Sequence, residues 1–214
     1  MIERPALRIV LASVESALAD AWHRHCGDLP GVSVHRGSIL DLRVDAVVSP
    51  ANSFGFMDGG IDAIYLRHFG AGVQERLQSA IRERHHGELL VGAAEIVDTG
   101  DPRIPYLVAA PTMRVPMILS ETVNAYLAAR ATLLLAMHGD FPSGGRVSDS
   151  VTSLAFPGLG TGVGRMDFDT CARQVRAAIE EVCHRGSSFP ATWLEAQIRH
   201  QKLYSDHARD LQQD

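Results

Sequence analysis

The chain has 214 residues, 20 Lys and Arg against 25 Asp and Glu, and 46% apolar residues. That balance belongs to a folded globular protein of one domain, or of one domain with an appendage, and not to a disordered chain. A net charge of −5 supplies no basic footprint for a phosphate backbone, so nucleic acid is not expected as a partner. No stretch reaches the ~18 apolar residues that span a bilayer, and the run from Ile9 to Ala12 is too short for a signal-peptide core. These features predict no membrane association and a cytoplasmic location. Cys26, Cys171 and Cys183 are odd in number and form no C-x-x-C, which predicts reduced, mostly buried thiols and no metal site.

In chain order, residues 7–11 are short, apolar and β-branched like a buried strand, and Ser13 reads as the cap of a helix carrying Val14, Leu18, Ala21 and Trp22. Residues 32–35 and 45–48 read as two more strands. Helical periodicity follows at Ile61, Ile64, Tyr65 and Phe69, and again at Val73, Leu77 and Ile81. Strands are predicted at 94–97 and 106–110, then a helix over 120–137 stopped by Gly139, then a strand at 151–156. The last long helix starts after Met166, with Phe168, Cys171, Ala172, Val175, Ala178, Ile179 and Val182 at three- and four-residue steps. Strands alternating with helices predict a three-layer α/β domain with helices on both faces of one sheet. The domain is expected over 1–186. Residues 187–214 form a polar tail in which Trp193, Leu194, Ile198, Leu203 and Tyr204 suggest one or two docked helices.

Two glycine-rich loops stand out. Residues 47–62 run from a strand through Asn52, Asp58, Gly59 and Gly60 to a helix start at Ile61 and Asp62. A loop of this kind aims backbone N–H groups at the positive end of a helix, which holds a phosphate without Lys or Arg; an ordinary tight turn is the alternative. Residues 154–167 repeat the pattern with Gly158, Gly160, Gly162 and Gly164. Four glycines in seven residues are entropically costly unless the backbone needs unusual φ values or close approach to a ligand. The run is neither a dinucleotide fingerprint, because Val163 or Arg165 occupies the position that needs Gly, nor a P-loop. Two such loops at strand ends predict one cleft that clasps a diphosphate from both sides.

The ordered set Gly37-Ser38-Ile39, Asp45-Ala46-Val47-Val48-Ser49-Pro50-Ala51-Asn52, Gly59-Gly60-Ile61-Asp62 and Ala155-Phe156-Pro157 running into Thr161-Gly162-Val163-Gly164 resembles the macrodomain family of ADP-ribose binders. The resemblance spans about Gly37 to Cys183. It implies a three-layer α/β/α sandwich with a mixed central sheet, an ADP-ribose cleft at the strand ends, and no cofactor. It further implies that Ser38, Ile39 and Ala51 line the cleft, and that Asn52 bonds the distal ribose. Gly59, Gly60 and Ile61 would offer N–H groups to the diphosphate, and Gly160, Thr161, Gly162, Val163, Gly164 and Arg165 would close over it. Asp62 matches the carboxylate that orients or activates water in hydrolytic members. Its place in the first helical turn predicts an ionised group at neutral pH.

The departures from the family pattern carry their own expectations. Ser38 stands where many members have an Asp for the adenine amino group, which predicts altered base selectivity. Ser49 and Pro50 replace the first Asn and the following Ala of the usual Asn-Ala-Ala-Asn. The second loop lacks the usual aromatic ring, so Phe54, Phe56 or Arg165 would line a more open ribose end. Asp58 replaces a glycine and would repel a diphosphate unless it points away.

Asp62 and Asn52 are therefore the candidate catalytic residues of a hydrolase of mono-ADP-ribosyl linkages, with ADP-ribose or an ADP-ribosylated macromolecule as partner. A non-catalytic nucleotide-binding module and an interaction domain with a vestigial cleft are the alternatives. His23, His25, His85 and His86 lie on polar helix faces and read as solvated, with no carboxylate at ligand spacing; Cys171 and Cys183 read as packing residues.

Overall fold

The apolar runs become the strands of a single sheet. The computed structural model describes residues 7–185 and 189–205. The strands are β1 (Arg8–Ser13), β2 (Val32–Arg36), β3 (Ala46–Ser49), β4 (Glu95–Asp101), β5 (Ile104–Ala109) and β6 (Ser153–Phe156). They lie in the order β2-β1-β6-β3-β5-β4. Every neighbouring pair is parallel except β4, which runs antiparallel to β5 through a tight turn and makes the sheet mixed.

Successive strand residues point to opposite faces, and both faces are covered, which is why the strands read as continuous apolar runs. Ile9, Leu11, Val48, Leu154 and Phe156 pack with residues of α1 (Ser16–Cys26), α4 (Asn124–His138) and α5 (Phe168–Ile179). Val10, Ala12, Val47, Leu107 and Ala155 pack on the other side with α2 (Gly60–Phe69) and α3 (Gly72–Arg84). The result is the three-layer α/β/α sandwich with a mixed central sheet.

Several boundaries differ from the sequence expectation for local reasons. Ser13 does not cap α1: it ends β1, and its hydroxyl accepts from the Glu15 N–H at 2.9 Å, forming a turn ahead of the helix. Val14 lies in that turn and is 73% exposed, so it is not part of the buried stripe. The helix expected from 120 starts only at Asn124, because 119–122 fold into a turn in which Thr122 donates to the Leu119 carbonyl. Gly139 does stop it, its N–H closing on the Leu135 carbonyl. α5 continues into a π-helical segment, Glu180–Arg185.

In the tail one helix is described, α6 (Trp193–Gln201). Gln197 and Gln201 of this helix are buried, as is Leu203 just beyond it, while Trp193 and Leu194 are exposed. The remaining tail residues, 206–214, lie outside the described residues, as does the proposed boundary at 186–188. No helix among the described residues is long and apolar enough to cross a membrane.

The chain passes from β1 outward to β2 and then back to β3 on the far side of β6. Connections therefore diverge at the carboxyl ends of β1, β6 and β3, and a crevice opens there.

Candidate functional site

A cavity of about 310 Å3 occupies this crevice. β1 and the turn after it contribute Ala12, Ser13, Val14 and Glu15; the loop after β3 contributes Pro50, Ala51, Asn52, Phe56 and Asp58. The start of α2 adds Gly59, Gly60, Ile61, Asp62 and Ile64, and the loop after β6 adds Pro157, Gly158 and Gly160 through Gly164. Ser38 and Ile39 line one flank. Every ligand-contacting residue expected from the sequence meets in this one space except Arg165, which is exposed, sits at φ +52° and does not line it. The reason is the turn closed by the Arg165 N–H on the Gly162 carbonyl, which carries the side chain off the cleft.

Phe56, 54% exposed, is the aromatic at the cleft. Phe54 is drawn away under the Arg114 guanidinium, 5.3 Å from its ring centre. Sequence reasoning missed the β1 turn (Ser13, Val14, Glu15), Leu18 of α1, and Thr112, Met113 and Pro116 after β5. The only signal for them was their place just past apolar strands.

The two glycine loops offer donors. Among the described residues, the backbone N–H groups of Gly59, Gly60 and Ile61, and those of Thr161, Gly162, Val163 and Gly164, donate to no other group of the chain. The first set sits at the positive end of α2. In the second loop the glycines divide by role. Gly160 sits at φ +71°, and a Cβ on Gly164 would come within 2.5 Å of the Gly160 carbonyl oxygen, so both shape the loop. Gly162 has open space around its Cα and an exposed position, so packing within the chain does not require a glycine there. No Lys or Arg lines the cavity, whereas Glu15, Asp58 and Asp62 do. Asp58 is exposed and belongs to the lining, where its charge raises the proton affinity of Asp62.

Asp62 departs from the sequence expectation. It is 7% exposed, and burial, opposed by the Ser49 hydrogen bond and reinforced by the charge of Asp58, pushes its carboxyl up to about 7. The helix terminus does not outweigh the lost solvation, so near neutral pH the group is only partly ionised. Its Oδ1 accepts from the Ser49 hydroxyl at 2.6 Å, and Oδ2 has no hydrogen-bond partner within the chain among the described residues. Beneath it the buried Tyr65 hydroxyl donates to the Val48 carbonyl at 3.1 Å, and burial together with Asp62 holds that phenol well above its usual range.

Asn52 is engaged by its own loop. Its Nδ2 donates to the Phe56 carbonyl at 2.7 Å, and its Oδ1 accepts from the N–H groups of Phe54 at 3.1 Å and Phe56 at 3.3 Å. The amide thus builds the 52–56 turn while lining the cleft. Ser38 likewise caps the short helical turn Ile39–Asp41, accepting from the Leu40 N–H at 3.2 Å.

Two of the four histidines expected to be solvated are partnered. His25 lies 2.8 Å from Asp169, and His85 lies 3.0 Å from the buried Glu95, each only half-buried. The fold brings up carboxylates that sequence spacing could not show. No group of three or more His, Cys, Asp or Glu converges as a metal site among the described residues. All three cysteines are free thiols; burial pushes Cys26 and Cys171 up to about 12 and Cys183 up to about 11, which suits packing and not nucleophilic attack.

A parallel-rich sheet with two loops of unused N–H groups and a buried carboxyl at its carboxyl edge defines a three-layer α/β protein with a cleft at the strand ends. The profile of the Macro domain family matches residues 48–175. The chain belongs to the Macro domain family. An uncharacterised protein of Aquifex aeolicus is 32% identical over 151 residues, covering 71% of this chain and 80% of the relative. A Staphylococcus aureus protein named protein-ADP-ribose hydrolase is 28% identical over 195 residues, covering 83% and 70%. Among solved structures, an Oceanobacillus iheyensis macrodomain with ADPR superposes with a TM-score of 0.58 at 17% identity, covering 71% of this chain and 77% of that one. The macrodomain of Mycobacterium tuberculosis DarG gives 0.54 at 21% identity, covering 69% and 89%. These structural likenesses show the fold.

Proposed function

We propose that the cleft binds ADP-ribose or a closely related nucleotide, free or on an ADP-ribosylated macromolecule, and that the protein hydrolyses mono-ADP-ribosyl linkages. The observation that carries this reading is the convergence in one cavity of two sets of unused backbone N–H groups with Asp62. The diphosphate would lie between the loops, held by N–H groups, with Asn52 and Phe56 toward the distal ribose. Charge-assisted N–H bonds of this kind offset the cost of bringing a diphosphate beside Asp58 and Glu15. Asp62, titrating near pH 7, can accept a proton from a water attacking an ester or related bond at that ribose; a base with a pKa near the working pH combines availability with driving force. The names of the Staphylococcus aureus and Oceanobacillus iheyensis relatives support the substrate class. Residues 1–186 would hold the activity, since α6 adds nothing to the cleft.

A non-catalytic binding module is the second reading, favoured by the engagement of the Asn52 amide within its own loop, where Oδ1 accepts two bonds and Nδ2 donates one. Calorimetry with free ADP-ribose should give micromolar binding, roughly −7 to −8 kcal/mol. Gly162→Val should abolish it in a folded protein. No binding to the parent protein removes both readings. Loss of turnover of an ADP-ribosylated acidic side chain in Asp62→Ala, with ADP-ribose binding kept, supports the hydrolase. Binding without turnover in the parent protein supports the module.

A further inference from the structure

The end of β3 and the first turn of α2 meet through a buried side-chain hydrogen bond. Ser49 is the last residue of β3 and fully buried. Strand alternation turns its side chain to the same face as Val47, the face covered by α2 and α3. There its hydroxyl meets Oδ1 of Asp62 at 2.6 Å, a length typical of a hydroxyl donating to a charged or strongly accepting oxygen.

We propose that Ser49 is a positioning residue that occupies Oδ1 of Asp62 and thereby assigns Oδ2 as the oxygen presented to the ligand; this rests on the ADP-ribose reading of the cleft. A carboxyl on a short side chain, free to rotate about its terminal bond, offers either oxygen. Locking one in a hydrogen bond with a residue of the sheet leaves a single orientation. The contact also carries a proton consequence. The groups facing Asp62 are the Ser49 hydroxyl from β3, the Asp58 carboxylate from the preceding loop and the Tyr65 phenol one turn on in α2, while Glu15 from the β1 turn shares the cavity. None is basic, so the Ser49 hydroxyl is the favourable side-chain partner for the ionised form.

The test compares Ser49→Ala, which removes the donor, with Ser49→Thr, which keeps a hydroxyl and suits a strand. The readouts are the Asp62 carboxyl titration followed by 13C NMR in the ligand-free protein, and kcat and ADP-ribose affinity measured separately across pH. In the parent protein the midpoint should lie near 7. In Ser49→Ala it should rise by about one pH unit, with kcat at pH 7 falling ~10-fold and ADP-ribose affinity within ~3-fold. Ser49→Thr should return both toward the parent values. An unmoved titration in a folded Ser49→Ala protein overturns the assignment, and so does a Thr variant that folds and behaves like the Ala variant. If Ser49→Ala does not fold, Ser49→Thr decides: a folded Thr variant whose titration midpoint has risen and whose kcat has fallen as expected for loss of the donor overturns the proposal. A parent protein that binds no ADP-ribose fails the functional reading, while the titration still judges the Ser49–Asp62 tie.

Discussion

An aspartate meets each end of strand β3, Asp45 just before it in the chain and Asp62 from α2 through Ser49, and the two live in opposite environments. At the amino end, Oδ2 of Asp45 accepts from the backbone N–H and hydroxyl of Thr152 and from those of Ser153, all between 2.8 and 2.9 Å. Partial burial works against its charge, but these four donors together hold the carboxyl below the usual carboxylate range. At the carboxyl end, Asp62 has one donor and far deeper burial, and burial wins. Depth of burial and number of donors together, not the residue type, separate a clamp that ties β3 to β6 from a group left partly protonated in a cleft.

Removing charge should split the two ends most sharply. Asp62→Asn keeps an acceptor for Ser49 but cannot ionise. Because the folded carboxyl is raised from 3.8 to about 7, its contribution to stability is present in full below 3.8 and lost as pH rises through about 7. Denaturant unfolding of Asp62→Asn should therefore match the parent near pH 4 and exceed it at pH 8. The excess should be at most about 4 kcal/mol, since each pH unit between the unfolded and folded values is worth ~1.4 kcal/mol. An equal difference at both pH values breaks the comparison.

Asp45→Ala should act in the other direction and less strongly. Its folded carboxyl is lowered from 3.8, so its contribution is present above that value and lost as pH falls through the folded value. A loss of about 2 kcal/mol is expected at pH 7, after allowing for solvent screening, because four donors lose their acceptor. The gap between variant and parent should narrow in acid, which unfolding curves at pH 7 and pH 3 would show.

The smallest effect sharpens the point about donors. Ser153→Ala removes one hydroxyl that both donates to Asp45 and accepts from its N–H. It should cost about 1 kcal/mol at pH 7 and leave ADP-ribose affinity unchanged, since the clamp lies at the far end of the strand from the cleft. A changed affinity would show that the two ends of β3 communicate.

The glycine loops are legible in the sequence because four glycines in seven residues are costly anywhere else, and the strands because double burial demands unbroken apolar runs. Arg165 is not, because only the turn at Gly162 decides where its side chain goes. The β1 turn and the segment after β5 are invisible as site residues, since Ser13, Glu15, Thr112 and Met113 become neighbours of the glycines only when β1 and β5 flank β6 and β3. His25 reads as solvated because Asp169 stands 144 residues away and reaches it only through the packing of α1 on α5.

The sequence by itself determined the layered α/β class, the alternation of strands and helices, and the two loops that carry donors, because each rests on periodicity or on backbone freedom within a dozen residues. Only the tertiary structure decided the order of the strands, which glycine faces open space, and the state of Asp62. The physical reason is that desolvation is a property of everything packed around a group. The first turn of α2 favours the carboxylate, but burial above β3, the one hydroxyl of Ser49 and the neighbouring charge of Asp58 set its proton equilibrium.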